Sequence, residues 1–401
     1  MRKILITLFL FISLQSLAQS PVLSEKAEIH VVTCGPYNEE LYSAFGHSAF
    51  RVYDPVAGFD WIYNYGVFDF NQPNFYLNFA RGNLNYKLGV HEYLPFRDFY
   101  VSYNRFVHEQ RLNLTFEQKK MLFEFLEWNA KPENQYYQYD YFYNNCATKI
   151  RDVVQRVFGD SVKFDDSYIK TDYTIRNLTD LYLKPQPWGD LGIDICLGLP
   201  MDKKAVAYEY MFLPDYIESS FNHATLLDSG KTIPLVKQTI VTFESQPEDA
   251  EFSAFHPWIV FGLILIIGIG LTYSDLKRQK LSRWFDTLLF GVVGLVGLLL
   301  ILLWLATDHK AAAKNFNLLW ALPTHLALVI FFWKRSKPSW IFQYLRFAGF
   351  IQFGLLLLWF FLPQQLNLFL IPLVILLAIR CWLINNVEGN ANRKSGSLPV
   401  R

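Results

Sequence analysis

A cysteine at the predicted start of a helix is the residue of this sequence best placed to do covalent chemistry. Cys146 follows the aromatic, Asn-containing loop 141–145. The residues after it are apolar at helical spacing: Ile150, Val153, Val154 and Val157. Gly159 ends the predicted helix. A thiol in a first helical turn lies at the positive end of the helix dipole, which favours the nucleophilic thiolate.

A histidine earlier in the chain supplies the base that such a thiol needs. His47 follows Gly46 and opens a predicted strand that alternates from Ser48 to Tyr53. Thiol acyl transfer needs a nucleophile, a base and donors for the oxyanion. We therefore predict Cys146 as nucleophile, His47 as base and the backbone N–H of Cys146 as an oxyanion donor. The alternative is a small, buried, structural cysteine.

A third polar group must orient the imidazole of the base. Asn64 and Asp69 lie on or just past the predicted strand Trp61–Tyr65, which we expect to pair with the His47 strand in an antiparallel manner. Asn144 or Asn145, beside the cysteine, could serve instead. The sequence leaves this choice open.

The elements around these residues predict one mixed α+β domain over residues 19–250. Ile29–Thr33 is β-like, and Thr115 caps a predicted helix from Glu117 to Asn129. The apolar residues expected on the inner face of that helix are Met121, Leu122, Phe125 and Leu126. Residues 160–250 contain several prolines and are interpreted as loop-rich.

An aromatic-rich stretch runs from Phe68 to Phe106. Ordinary packing in the core and in loops is one interpretation. The other is a surface that lies on lipid or holds an acyl chain, because amphipathic rings favour the membrane interface.

The second part of the chain is expected to lie in a membrane, whereas the first part is expected to lie in water. Five apolar runs of spanning or near-spanning length lie within residues 255–386: Trp258–Tyr273, Leu288–Leu305, Leu318–Trp333, Phe347–Leu362 and Leu368–Ile384. Basic residues follow the first, third and fifth runs, which predicts a cytoplasmic C-terminal tail, 387–401, and an external soluble domain. The basic, apolar and small-residue order of residues 1–18 is typical of a signal peptide, with an uncleaved anchor as the alternative.

Composition restricts the partners. The formal net charge of +1 gives no reason to expect nucleic-acid binding. The four cysteines form no CxxC or Cys/His cluster, so neither a metal nor a cofactor is predicted. Cys34 and Cys196 are a possible disulfide that would leave Cys146 free.

Polar residues near the outer ends of the predicted spans are a further group of candidates. Asp308 and His309 follow the second run, and Asn317 and His325 lie at or within the third. Polar groups at membrane depth often have a function. The alternative to a functional role for Asp308 and His309 is that they form a hydrated loop and cap the end of a helix.

These motifs resemble a known family. Gly46-His47-Ser48-Ala49, followed much later by Asn145-Cys146-Ala147, resembles the permuted papain-like (NlpC-type) fold, in which the histidine precedes the cysteine. More closely, a set of short motifs resembles the Lnb N-terminal periplasmic domain of Bacteroidota: Cys34-Gly35-Pro36, Phe45-Gly46-His47, Tyr63-Asn64-Tyr65-Gly66, Tyr143-Asn144-Asn145-Cys146 and Phe212-Leu213-Pro214. The downstream spans with Thr307-Asp308-His309 and Asn317-Leu318-Leu319-Trp320 resemble the same proteins.

The resemblance implies lipoprotein N-acylation at the inner membrane. The acyl donor would be a membrane phospholipid, and the acceptor the N-terminal Cys amine of a diacylated lipoprotein. The family's catalytic histidine and cysteine match His47 and Cys146, whereas Asn64 is inferred from the predicted strands. Supporting candidates near the motifs are Asn145, Asn144, Tyr65, Asp69, Asp308 and His309.

Two other functions fit the same residues. One is an envelope cysteine hydrolase, a peptidoglycan peptidase or amidase, although five spans exceed the single anchor that such an enzyme needs. The other is a non-enzymatic membrane assembly or binding protein in which Cys146 is structural.

Overall fold

The computed structural model describes residues 21–68, 72–247, 253–334 and 337–389. It has an N-terminal α/β domain followed by a helical region. The predicted signal peptide, the predicted domain boundary near residue 250 and all but the first residues of the tail lie outside the described residues.

A seven-stranded antiparallel sheet is the centre of the N-terminal domain. Its strands are β1 Glu28–Cys34, β2 His47–Asp54, β3 Phe59–Val67, β4 Leu84–Glu92, β5 Val107–Leu112, β6 Tyr136–Tyr139 and β10 Val236–Phe243, in the order β10-β5-β1-β2-β3-β4-β6. The predicted pairing of the His47 strand with the Asn64 strand is confirmed, with Phe50 opposite Tyr63. A smaller sheet contains β7 Val162–Lys163, β8 Thr225–Asp228 and β9 Lys231–Pro234.

Helices cover both faces of the main sheet. The helices of this domain are α1 Phe75–Ala80, α2 Tyr93–Ser102, α3 Phe116–Ala130, α4 Cys146–Phe158, α5 Ile175–Leu183, α6 Pro187–Cys196, α7 Ala207–Tyr210 and α8 Pro214–His223. On one face, Ile150 and Val154 of α4 share a buried core with Phe50 and Tyr63 of the sheet. On the other face, buried residues of α2 pack over Val32 and Ile62. The sheet therefore holds the start of α4 against its own surface.

Two predictions for this domain need correction. Met121 is exposed, since α3 turns Leu122, Phe123 and Leu126 inward; Thr115 caps this helix as predicted. Residues 160–247 are not loop-rich, because they form four helices and four strands. Two of the prolines taken as breakers, Pro187 and Pro214, occupy first helical positions, where a missing N–H costs nothing.

The C-terminal region contains α9 Pro257–Arg278, α10 Arg283–Leu305, α11 His325–Phe332, α12 Ser339–Leu358 and α13 Ile371–Ile384. Within the described residues, four helices are long and apolar enough to cross a membrane: Pro257–Arg278, Arg283–Leu305, Ser339–Phe361 and Leu368–Gly389. The third predicted run differs, since a 3-10 turn at Phe316–Leu319 precedes the eight-residue α11. Pro323 lies between the two and disfavours one continuous helix.

A buried ion cluster connects three of these helices. Arg380 of α13 donates to Asp286 of α10 at 2.7 Å and to Asp275 of α9 at 2.9 Å. Removing one partner of such a cluster leaves a buried charge unpaired, so the three helices are held in one arrangement.

Polar side chains join the two regions. Gln364 donates to the carbonyl of Leu197 at 3.1 Å, and Asn367 donates to the Asp194 carboxylate at 2.9 Å. At a separate place, the N–H of Asp308 donates to the carbonyl of Arg81 at 2.8 Å. The α/β domain is therefore fixed to the loops that connect the spans.

Candidate active site

The start of α4 is built to hold Cys146 at its first position. Asn145 is the N-cap: its side chain accepts from the Thr148 N–H at 2.9 Å, and the Thr148 hydroxyl accepts from the Asn145 N–H at 2.8 Å. The Asn145 amide also donates to the carbonyl of Phe212 at 2.8 Å. This buried reciprocal cap leaves the helix start little freedom.

A glycine positions His47. Gly46 precedes β2 with a φ of +80°, and a Cβ there would lie 2.7 Å from the carbonyl oxygen of Cys34. Only glycine adopts this backbone at such a close approach without strain. His47 then begins β2 opposite Cys34 of β1.

The two residues meet. The Cys146 sulfur is hydrogen-bonded to the His47 ring. It also accepts hydrogen bonds from the backbone N–H groups of Ser48 and Ala147. Burial raises the pKa of the thiol, but the charge and hydrogen bond of His47 and these N–H donors outweigh it, so the pKa is lowered overall. This is the electrostatic setting of a thiolate nucleophile.

Asn64 is the side chain that orients the imidazole. Its Oδ1 lies 2.7 Å from His47 Nε2. A carbonyl oxygen can only accept, so Nε2 carries a proton and Nδ1 remains to exchange a proton with the thiol. Cys146, His47 and Asn64 thus lie in the spatial order, thiol to imidazole to amide, that a nucleophile, a base and its orienting group require.

Aromatic rings and a second glycine enclose this series. Tyr100 stacks on the His47 ring at 6.1 Å between centroids, and Phe96 lies at 6.2 Å. Gly66 has a φ of +89°, and a Cβ there would lie 3.7 Å from Cys146 Cβ and 3.5 Å from the Tyr139 ring. The site is therefore apolar and narrow around the sulfur, and Cys146 as a residue is half-buried.

Three other predicted site residues have partners elsewhere than the imidazole. Asn145 caps α4 as described, and the Asn144 amide donates to the Gln138 carbonyl. The Tyr65 hydroxyl is buried and donates to Asn129 at 2.6 Å. These three residues position the loop and the core, and Asp69 lies outside the described residues.

Asp308 and His309 contact the α/β domain away from the sulfur. Besides the bond from Asp308 to Arg81, a Cβ at Gly82 would lie 3.1 Å from the His309 N. They belong to the junction between the outer loop and the α1–β4 connection.

Sequence reasoning missed the enclosing residues. Tyr100 lies in the aromatic-rich stretch, but no role at the site was predicted for it. No role was predicted for Tyr139 either. Gly66 is part of the motif Tyr63-Asn64-Tyr65-Gly66, but no role was predicted for it. Its position after Asn64 on a predicted strand was the available signal, since an interior strand glycine often marks a bulge or a close approach. The β3–β4 register does shift between Asn64 and Val67.

The suggested disulfide is absent. Cys34, Cys146, Cys196 and Cys381 are all free thiols, and burial raises the pKa of Cys34 and Cys196. Cys34 is fully buried and pairs with His47 across the β1–β2 ladder. Cys146 is the thiol with a lowered pKa among these three.

Three carboxylates could hold a cation in the described part of the chain. Asp180, Asp190 and Asp194 place oxygens within 4.8 Å of one another. They already have protein partners: Arg176 donates to Asp194 at 2.7 Å, and Asn367 donates to both Asp190 and Asp194 at 2.9 Å. They lie at the junction with the membrane region rather than beside Cys146.

Fold and site together define a class: a membrane protein whose N-terminal α/β domain contains a Cys–His–Asn series. Two family descriptions match the chain, the Lnb N-terminal periplasmic domain over residues 22–180 and the Lnb transmembrane domain over residues 248–389. The chain belongs to the Lnb family, and its N-terminal domain is periplasmic. No curated protein and no solved structure matches it.

Proposed function

We propose that this protein is a lipoprotein N-acyltransferase that moves an acyl chain from a membrane phospholipid to the N-terminal Cys amine of a diacylated lipoprotein. The observation that supports this most is the Cys146–His47–Asn64 series in a domain hydrogen-bonded to the loops between the spans. An ester carbonyl at the membrane surface needs a nucleophile held at that height.

The first half-reaction forms a thioester. The Cys146 thiolate attacks the ester carbonyl, and the lysophospholipid oxygen leaves with the proton from His47 Nδ1. Asn64 keeps the ring in the orientation that makes this transfer possible. We expect the backbone N–H of Cys146, at the helix start, to stabilise the developing oxyanion.

The second half-reaction releases the acyl chain to the amine. The lipoprotein α-amine attacks the thioester, His47 accepts the amine proton, and the Cys146 thiolate leaves. The products are an amide and the starting enzyme. Because the acyl group waits on the protein, the two lipid substrates need not bind together, and ping-pong kinetics follows.

This function implies an orientation. The phospholipid donor lies in the outer leaflet of the inner membrane, with the C-terminal tail in the cytoplasm. The basic residues after α9 agree with that orientation. A fusion reporter at the C-terminus that is active only in the cytoplasm tests it.

Acyl labelling tests the chemistry. The full-length protein, incubated with vesicles that contain a phospholipid labelled in its acyl chain, should acquire a label that hydroxylamine removes, as expected for a thioester. Cys146→Ala should acquire none. Equal labelling of the variant would exclude the mechanism, and release of muropeptides without labelling would favour the hydrolase.

A further inference from the structure

Helix α1, near the junction, is almost entirely apolar and has no buried residue. Of the α1 side chains, Tyr76 is 80% exposed, Leu77 49% and Phe79 43%, and no residue of α1 is buried. Three large apolar side chains on one six-residue helix are unfavourable in water. Elsewhere in the aromatic stretch, Phe99 and Tyr103 are also exposed, whereas Tyr93 and Tyr100 are buried in the core.

The neighbouring helix α10 determines the depth of α1 relative to the membrane. Helix α10 has 23 residues, about 35 Å of helix, enough to cross the hydrocarbon layer and end at Leu305 near its outer surface. Asp308, three residues later, donates its N–H to the carbonyl of Arg81, which directly follows α1. Three residues span at most about 10 Å, so α1 lies at the level of the headgroups and upper acyl chains.

Two cations lie at the same junction. Arg81 and Lys310 are both exposed, and the Lys310 N–H is bonded to the Asp308 carbonyl at 2.9 Å. Apolar rings beside exposed cations match the two parts of a phospholipid, its acyl chains and its phosphate.

The chain then leads from α1 to the sulfur. Gln138 donates to the carbonyl of Gly82 at 3.0 Å, which holds the α1–β4 connection against β6. The next residue on β6, Tyr139, packs beside Gly66, and Gly66 adjoins Cys146. A continuous path of contacts therefore leads from the end of α1, through the α1–β4 connection, β6 and Gly66, to Cys146.

We propose that α1, together with Arg81 and Lys310, is a membrane-inserted lip that binds a phospholipid of the outer leaflet and presents its ester to Cys146. The delivery to Cys146 rests on the proposed acyl transfer, whereas insertion of the lip into lipid does not.

Photo-crosslinking tests insertion without catalysis. The full-length Cys146→Ala protein, with p-benzoylphenylalanine at position 76 or 79, is placed in vesicles of phosphatidylethanolamine and phosphatidylglycerol and irradiated. We expect phospholipid adducts at both positions. Position 241 is the control, because Val241 is 55% exposed but belongs to β10, at the opposite edge of the sheet from β6. Adduct yields at 76 and 79 no higher than at 241 would overturn the proposal.

Substitution tests delivery. The triple variant Tyr76→Ser, Leu77→Ser, Phe79→Ser should lower the rate of acyl labelling from vesicles at least tenfold, while Cys146 alkylation by iodoacetamide stays at the wild-type rate. Arg81→Gln with Lys310→Gln should lower labelling about fivefold per charge. Val241→Ser should change neither rate. Wild-type labelling rates in the triple variant would overturn delivery; adducts at 76 and 79 with no labelling of the wild type would refute the proposed function and still support insertion.

Discussion

At the scale of residues, the proposed chemistry depends on the ionisation of one thiol. Burial opposes the thiolate of Cys146, and His47 and two backbone N–H groups favour it. The sequence indicated the Cys–His pair because each residue opens a regular element. It could not choose among Asn64, Asp69, Asn144 and Asn145, since that choice depends on which strand face meets the ring.

We expect Cys146 to be alkylated by iodoacetamide faster than a model thiol at pH 7, with a rate midpoint below the ordinary thiol pKa. The lowered pKa keeps more thiolate at neutral pH, and the excess over a model thiol disappears as the pH rises through the ordinary value. In His47→Ala only burial and the N–H donors remain, so the midpoint should rise. Mass spectrometry of the Cys146 peptide measures the rate, and Cys196, whose pKa is raised, is the internal reference.

His47→Ala should also lower acyl labelling by about 10²–10⁴-fold, the usual contribution of general acid–base catalysis. Asn64→Ala should lower it less, because it leaves the base present but free to rotate. If Asn64 instead only supports the fold, labelling and melting temperature would fall together. Asn64→Asp, which keeps an acceptor for Nε2, should restore part of the labelling.

At the scale of elements, strand and helix starts bring the site together. The β2–β3 pair and the cap of α4 were predictable, because alternation and capping residues are local signals. The prolines of residues 160–247 were misread, since a proline that breaks a chain and one that opens a helix are identical in sequence. The third apolar run contains a 3-10 turn and the short helix α11 rather than one long helix, because apolar length does not show where a polar turn interrupts it.

The cap of α4 offers a matched comparison. Asn145→Ala should destabilise the α/β domain by about 1 kcal/mol or more and slow acyl labelling, because the cap also fixes Cys146. Thr115→Ala removes the same type of cap from α3, away from the site. It should cost a similar free energy of unfolding, measured by urea denaturation, and leave labelling unchanged at temperatures where both variants are folded.

Gly66 offers a second comparison. Gly66→Ala places a methyl group beside Cys146 at a φ of +89° and should cost about 1–2 kcal/mol while reducing labelling. Gly58→Ala has similar strain, with a φ of +77°, but opens onto free space. Equal labelling by the two variants would mean that the space next to the sulfur is not used by substrate.

At the scale of the whole molecule, a polar junction holds the periplasmic domain on the membrane. The sequence predicted one part that lies in water and one part that lies in the membrane. It did not predict how the two parts contact each other. Nothing in the sequence marks Asp194, Asn367 and Arg81 as contact residues, since they lie at the junction only in the folded protein. Burial and neighbouring carboxylates raise the pKa of Asp180 to about 8 and that of Asp190 to about 6.

These shifts make the junction sensitive to pH. The folded state binds protons more tightly than the unfolded state, so stability falls as the pH rises from about 4 to about 8. We expect the melting temperature in detergent to be a few degrees lower at pH 8.5 than at pH 6. Asp180→Asn should reduce that difference, whereas Asp160→Asn, an exposed carboxylate, should not. An undiminished difference in Asp180→Asn would assign it to other groups.

The central claim is that Cys146 adds one acyl chain to lipoproteins in the cell. The most direct measurement is the intact mass of a lipoprotein from cells that lack this protein and carry either the wild-type gene or Cys146→Ala. We predict that wild type restores a lipoprotein heavier by one acyl chain, and that Cys146→Ala leaves the diacylated mass. A triacylated lipoprotein in the Cys146→Ala cells would contradict the account.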